Sequence, residues 1–122
     1  MLSSFCRQIA ALLGGFAVLL GAFGAHALKS ILEAHQSVAT WHTASHYHLI
    51  HSVVLLWVSS QKEGGSIPFV AFTAGIILFS GSLYLLAVTG MHWLGLLTPF
   101  GGLALIIGWL SLMRPSQKEE RR

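Results

Sequence analysis

The feature that most narrows what this chain can fold into is a set of four long apolar runs, none of which contains Lys, Arg, Asp or Glu. They extend over about 8–28, 43–60, 67–89 and 93–113. Each has the roughly 20 residues that a helix rising about 1.5 Å per residue needs to cross a bilayer's hydrocarbon. In that medium every backbone N–H and C=O must be bonded internally, which leaves helices or closed barrels. Barrel strands alternate apolar and polar residues, and these runs do not. The expected fold class is therefore an all-α membrane protein, an antiparallel bundle of four transmembrane helices. One domain covers 1–114, and 115–122 is a charged cytoplasmic tail.

Composition agrees. Charged residues make up 9% of the chain and hydrophobic ones 54%, whereas soluble domains carry about 25% charged residues. There is no Asp and no Asn, so the residues that commonly cap soluble helices and build tight turns are missing. The net charge of +3 is scattered and forms no basic stripe, which argues against nucleic acid as a partner. Membrane lipid is the partner the composition implies. A lone Cys6 excludes an intrachain disulfide and a cysteine-based metal cluster. Arg7, the first apolar run and Ala25-His26-Ala27 imitate a secretory signal. The run exceeds the roughly 7–15 residues usual for one, so a first span is the reading adopted.

If the four helices alternate in direction, Arg7, Lys62, Arg114, Lys118, Arg121 and Arg122 fall on one side and only Lys29 on the other. Basic residues collect on the cytoplasmic side, so both termini are expected there. Trp41, His92 and Trp93 then belong at the outer boundary, where amphipathic rings are favoured. Between the first two spans, the apolar spacing of Ile31, Leu32, His35, Val38 and Ala39 suggests a short amphipathic helix on the outer surface. Pro99 fits the first turn of the fourth helix.

Helices in lipid are held by close contact rather than by apolar burial. Ala17, Gly21 and Ala25 recur every four residues in the first span. Ala71, Gly75 and Ser82 form a similar face in the third, as do Gly101, Ala104 and Gly108 in the fourth. These faces fit packing within one bundle or an interface between copies or with a larger complex.

Seven histidines in so apolar a chain are its most unusual content. At about 100° per residue, Tyr47, His48 and His51 share one arc of the second span, while His42 and His46 lie roughly opposite. With alternating spans, His26, Thr43, Tyr47, His51, Ser80, Ser82, Tyr84 and Thr98 all fall in the outer half of the membrane. Polar groups at that depth usually face a helix interior or a water-filled cavity. The expectation is a shared pocket open to the outer side, able to hold a lipid or small ligand, or else a set of interhelical hydrogen bonds. Imidazole also suits metal or haem iron, which makes His26, His48 and His51 an alternative ligand set. No Gly-x-Ser-x-Gly elbow and no glycine-rich phosphate loop is present. A non-enzymatic protein without a cofactor is the favoured reading.

The segment Gly21-Ala22-Phe23-Gly24-Ala25-His26-Ala27-Leu28 resembles the signature of the domain of unknown function 423 family, which includes transmembrane protein 256-like small inner-membrane proteins. The likeness continues through Thr43, Tyr47 and His51, then Leu78 to Tyr84, Thr98-Pro99, Gly101-Gly102 and Gly108-Trp109. It implies a four-helix fold in the bacterial inner membrane and brings no reaction with it. His26 and His51 occupy motif positions. His48 stands where members often carry Gln, which weakens a His48–His51 metal pair as a shared property.

Overall fold

A computed structural model describes residues 4–61 and 65–114. The tail expected at 115–122 and Lys62, between the second and third apolar runs, lie outside these residues. The described residues form helices α1 (Ser4–Ala27), α2 (Lys29–Ala34), α3 (Val38–Ser60) and α4 (Ser66–Thr89). A 3-10 turn (His92–Leu96) then leads into α5 (Thr98–Ser111). Three helical stretches, Ser4–Ala27, Ser66–Thr89 and His92–Ser111, are long and apolar enough to cross a membrane. The 23 residues of α3 are enough in length, but four histidines and several Ser and Thr dilute its apolar character.

The region between the first two spans divides differently from expectation. The amphipathic piece ends at Ala34, and α3 begins at Val38 rather than near Thr43. On α2, Leu32 is buried and Ile31 exposed. The helix ends on Gln36 in the left-handed region, at φ 53°. There Gln36 N–H donates to Glu33 O (3.1 Å) and Ser37 N–H to Leu32 O (2.8 Å), the paired bonds of a Schellman ending. Ser37 Oγ then donates to Ala87 O at 2.6 Å, tying this turn to α4. At the far end of α4, Gly90 adopts φ 72°, and a Cβ there would lie 2.8 Å from His35 Nδ1. Both the backbone angle and the neighbour require glycine. Pro99 sits in the first turn of α5, where its missing N–H costs least.

α1 packs along α3, and α4 packs against α3 and α5. Two apolar clusters result. One joins Ala10, Leu55, Val58, Phe72, Ile76 and Leu105. The other, at the α2 end, joins Leu32, Trp41 and Ala87. Small residues set how near the helices come. Gly101 lies on the main chain of Leu78 and Phe79, Gly108 on the Phe72 ring and Gly75 on Leu105. In α1, Ala17 is buried, Ala25 is half-buried, and a Cβ on Gly21 would meet Ser45 at an ordinary 3.7 Å. The tightest approach in α1 is at Gly24, which lies beneath the Trp41 indole.

Two helices contain a widened π turn, Leu20–Gly24 in α1 and Ile76–Ser80 in α4. Both coincide with close contacts. The Leu20 carbonyl accepts a hydrogen bond from Trp41 Nε1 at 2.9 Å. The second π turn carries the Leu78–Phe79 backbone on which Gly101 rests. Such bulges occur where something presses into or bonds the helix ladder. Trp41 is 3% exposed, packed between helices rather than turned outward.

Candidate functional site

The polar residues singled out in the sequence separate into an interior network and a hollow at the α2 end.

The network centres on α3. His51 is buried, and its two ring nitrogens have different partners: Nδ1 is 2.7 Å from Tyr47 O, and Trp109 Nε1 is 3.0 Å from Nε2. An indole N–H can only donate and a carbonyl can only accept. His51 is thus the neutral tautomer carrying its proton on Nδ1, with both nitrogens used, and it joins α3 to α5. Its ring lies 5.9 Å from that of Phe72, and its plane stacks on Tyr47 at the same distance. Tyr47 itself is 41% exposed, with its ring against Phe79.

Neighbouring bonds tie the other helices. His48 Nδ1 is 2.9 Å from Tyr84 OH, linking α3 to α4. Ser80 Oγ donates to Ala44 O at 2.8 Å across the same pair. Ser82 Oγ and Thr98 Oγ1, 2.7 Å apart, link α4 to α5. Trp41 links α3 to α1. Thr43 is exposed and stands apart from these bonds. These bonds join neighbouring helices and hold them in register.

His26 is not part of this network. It is exposed and lines a hollow of about 370 Å³ with Ala25, Lys29, Leu32, Glu33, Val38 and His42. Three features go beyond what the sequence led one to expect: Trp109 as the partner of His51, Glu33 with Lys29 beside His26, and His42 sharing that hollow. The i, i+4 spacing of Lys29 and Glu33 is a usable signal, since it puts both on one face of a helix. His26, His48 and His51 do not form one donor set. Among the described residues, no group of three or more His, Cys, Asp or Glu is placed to hold a metal ion.

The His51–Trp109 bond gives a direct test. His51→Leu and Trp109→Phe should be non-additive in unfolding free energy, with a coupling of about 0.6 to 1.7 kcal/mol, the range for such bonds in membrane proteins. Chemical unfolding in detergent measures it. Additivity would mean that the two side chains do not meet.

A family model described as "Protein of unknown function (DUF423)" matches residues 20–102. The UPF0382 membrane protein YwdK of Bacillus subtilis is 42% identical over 103 residues, covering 80% of this chain and 83% of its own. A UPF0382 membrane protein of Haemophilus influenzae is 37% identical over 116 residues, 92% of this chain and 93% of its own. The UPF0382 membrane protein C1782.12c of Schizosaccharomyces pombe is 33% identical, covering 87% and 96%. No solved structure matches the chain.

Proposed function

Because the chain belongs to the DUF423 family of proteins of unknown function, whose relatives are named membrane proteins, we propose that it is a four-span inner-membrane protein that holds a lipid headgroup at its outer edge. The observation that carries this reading is the hollow beside His26. One cation, Lys29, and one carboxylate, Glu33, stand at its polar side with two imidazoles, while Ala25, Leu32 and Val38 supply apolar lining. A headgroup bearing both phosphate and amine suits that pairing: the phosphate to Lys29, the amine to Glu33, and the upper acyl segment against Leu32 and Val38. Phosphatidylethanolamine has this chemistry.

The same reading makes α3 a membrane span too, the second of four in chain order, and the assembly an antiparallel bundle. Supporting it, 23 residues at about 1.5 Å each reach about 35 Å, more than the hydrocarbon thickness of about 30 Å. The polar side chains of α3 bond to neighbouring helices and so enter lipid at reduced cost. Both termini are assigned to the cytoplasm on the six-to-one distribution of Lys and Arg. A reporter fused after Arg122 should then be active only in the cytoplasm. An external C-terminus would put the hollow on the inner leaflet and overturn the outer-edge assignment.

For the headgroup, delipidated protein is titrated with phosphatidylethanolamine or phosphatidylglycerol and the retained lipid read by native mass spectrometry. Wild type should retain phosphatidylethanolamine preferentially. Lys29→Gln should weaken retention of both lipids, and Glu33→Gln should remove the preference. Each effect should be about tenfold, as expected when one charge-assisted hydrogen bond is removed. Equal retention by all three proteins would sink the proposal.

A further inference from the structure

We propose that a water molecule is bound between α1, α3 and α4, held by His48 Nε2 and Ser45 Oγ. Both atoms are buried, and neither has a hydrogen-bond partner among the described protein groups. His48 is 5% exposed, and its other ring nitrogen is taken by Tyr84 OH at 2.9 Å. Ser45 lies three residues earlier on the same face of α3, one helical turn from His48. The Tyr84 phenol comes near the Ser45 hydroxyl yet leaves it unbonded. The Leu13 main chain likewise approaches the His48 ring without engaging Nε2.

The surface opposite explains the lack of partners. α1 presents small residues there: a Cβ on Gly21 would be 3.7 Å from Ser45 Oγ, and one on Gly14 would be 3.7 Å from Ser52 Cβ. No side chain at those positions reaches across to bond. Buried polar atoms in folded proteins are nearly always paired, and buried waters typically make about three hydrogen bonds to groups otherwise unsatisfied.

Water also fits either tautomer of His48. If Tyr84 O–H donates to Nδ1, Nε2–H donates to the water oxygen. If Nδ1–H donates to the phenol, Nε2 accepts a water proton. The serine hydroxyl can donate or accept in both cases. Neither Asp nor Glu occurs in α1, α3 or α4 to compensate a cation, and a Cβ on Gly21 would already touch Ser45 at 3.7 Å, which favours a small guest. The site therefore takes a neutral molecule of water size.

His51, one turn further along α3, is the internal control, because both its nitrogens are satisfied by protein groups. The test is solid-state NMR of protein labelled with 15N-histidine in lipid bilayers, reading magnetisation transfer from water protons to ring nitrogens. His48→Gln and His51→Gln spectra assign the two residues by the signals that vanish. Transfer to His48 Nε2 should build up at least about threefold faster than to His51, as expected for direct contact with a bound water. Ser45→Ala should remove most of that advantage while the His51 signals stay in place. Transfer to His48 no faster than to His51, or a His48 signal indifferent to Ser45→Ala, would overturn the proposal.

Discussion

Gly101→Ala should destabilise the fold by about 3 kcal/mol, an overpacking effect at the upper end for one added methyl group. The reason is what the methyl would meet. At Gly101 it would overlap the Phe79 amide nitrogen and come within 2.7 Å of Leu78 C and Phe79 Cα, all main-chain atoms of α4. A side chain can turn away from such a clash, whereas a helix backbone moves only as a body. Gly108→Ala should cost less, because the Phe72 ring it meets can shift, and Gly75→Ala is comparable, against Leu105. Gly81→Ala is the control, since nothing lies within 4 Å of a Cβ there. That change should be neutral or stabilising by up to about 1 kcal/mol. Thermal unfolding of the purified variants in one detergent ranks the series. A Gly101→Ala protein that melts with wild type would mean α4 and α5 are further apart than described.

Trp41→Ala should lower stability by about 3 to 5 kcal/mol, the usual cost of emptying a large buried aromatic site. The indole fills the space above Gly24, packs 4.7 Å from the Tyr84 ring and donates to the Leu20 carbonyl at 2.9 Å. Trp41→Phe keeps most of the volume and loses that bond, so it should cost about 1 kcal/mol. A ring floating at a membrane boundary would give nearly equal, small losses for both changes. A difference of less than about 1 kcal/mol between the two variants would therefore restore the boundary-anchor reading.

That contrast shows where the residues alone are informative. The apolar runs mark out the long helices within a few residues, because length and the absence of charge report directly on lipid. The same criterion misplaces the start of α3: Val38–His42 is helical and uncharged, but the spacing of Val38 and Ala39 with Ile31 and Leu32 also fits a separate surface helix. The small-residue faces are visible, and Gly75, Gly101 and Gly108 do lie at the closest approaches. Gly24 escapes that pattern because a stride of four from Ala17 leads to Gly21 and Ala25. The position of Trp41 depends on Gly24 and on a carbonyl exposed by a π turn, and neither is a property of Trp41's own neighbourhood in the chain.

The candidate site is legible in the sequence as a set of residues and not as a geometry. Helical spacing puts Tyr47, His48 and His51 on one side of α3, yet Tyr47 contributes its carbonyl to His51 and its ring to Phe79. Which residue on a distant helix answers a histidine depends on the rotation of both helices. Trp109 lies 58 positions from His51, beyond the reach of any periodicity argument. His26 falls outside the network because α1 ends there and α2 turns its residues toward a different hollow.

The polarity of α3 bears on how the protein is made. In the proposed four-span arrangement, this helix leaves the insertion machinery before the partners of His48 and His51 on α4 and α5 exist. Only α1 is already in the bilayer, and of the links described it supplies the Leu20 carbonyl for Trp41. The early intermediate is then a two-helix hairpin zipped along Gly14, Gly21 and Gly24, with histidines that stay close to water until the second hairpin arrives. In that arrangement the order of synthesis matters: the most apolar segments bracket the least apolar one, and α3 should become a stable resident of the bilayer only when the last helix is in place.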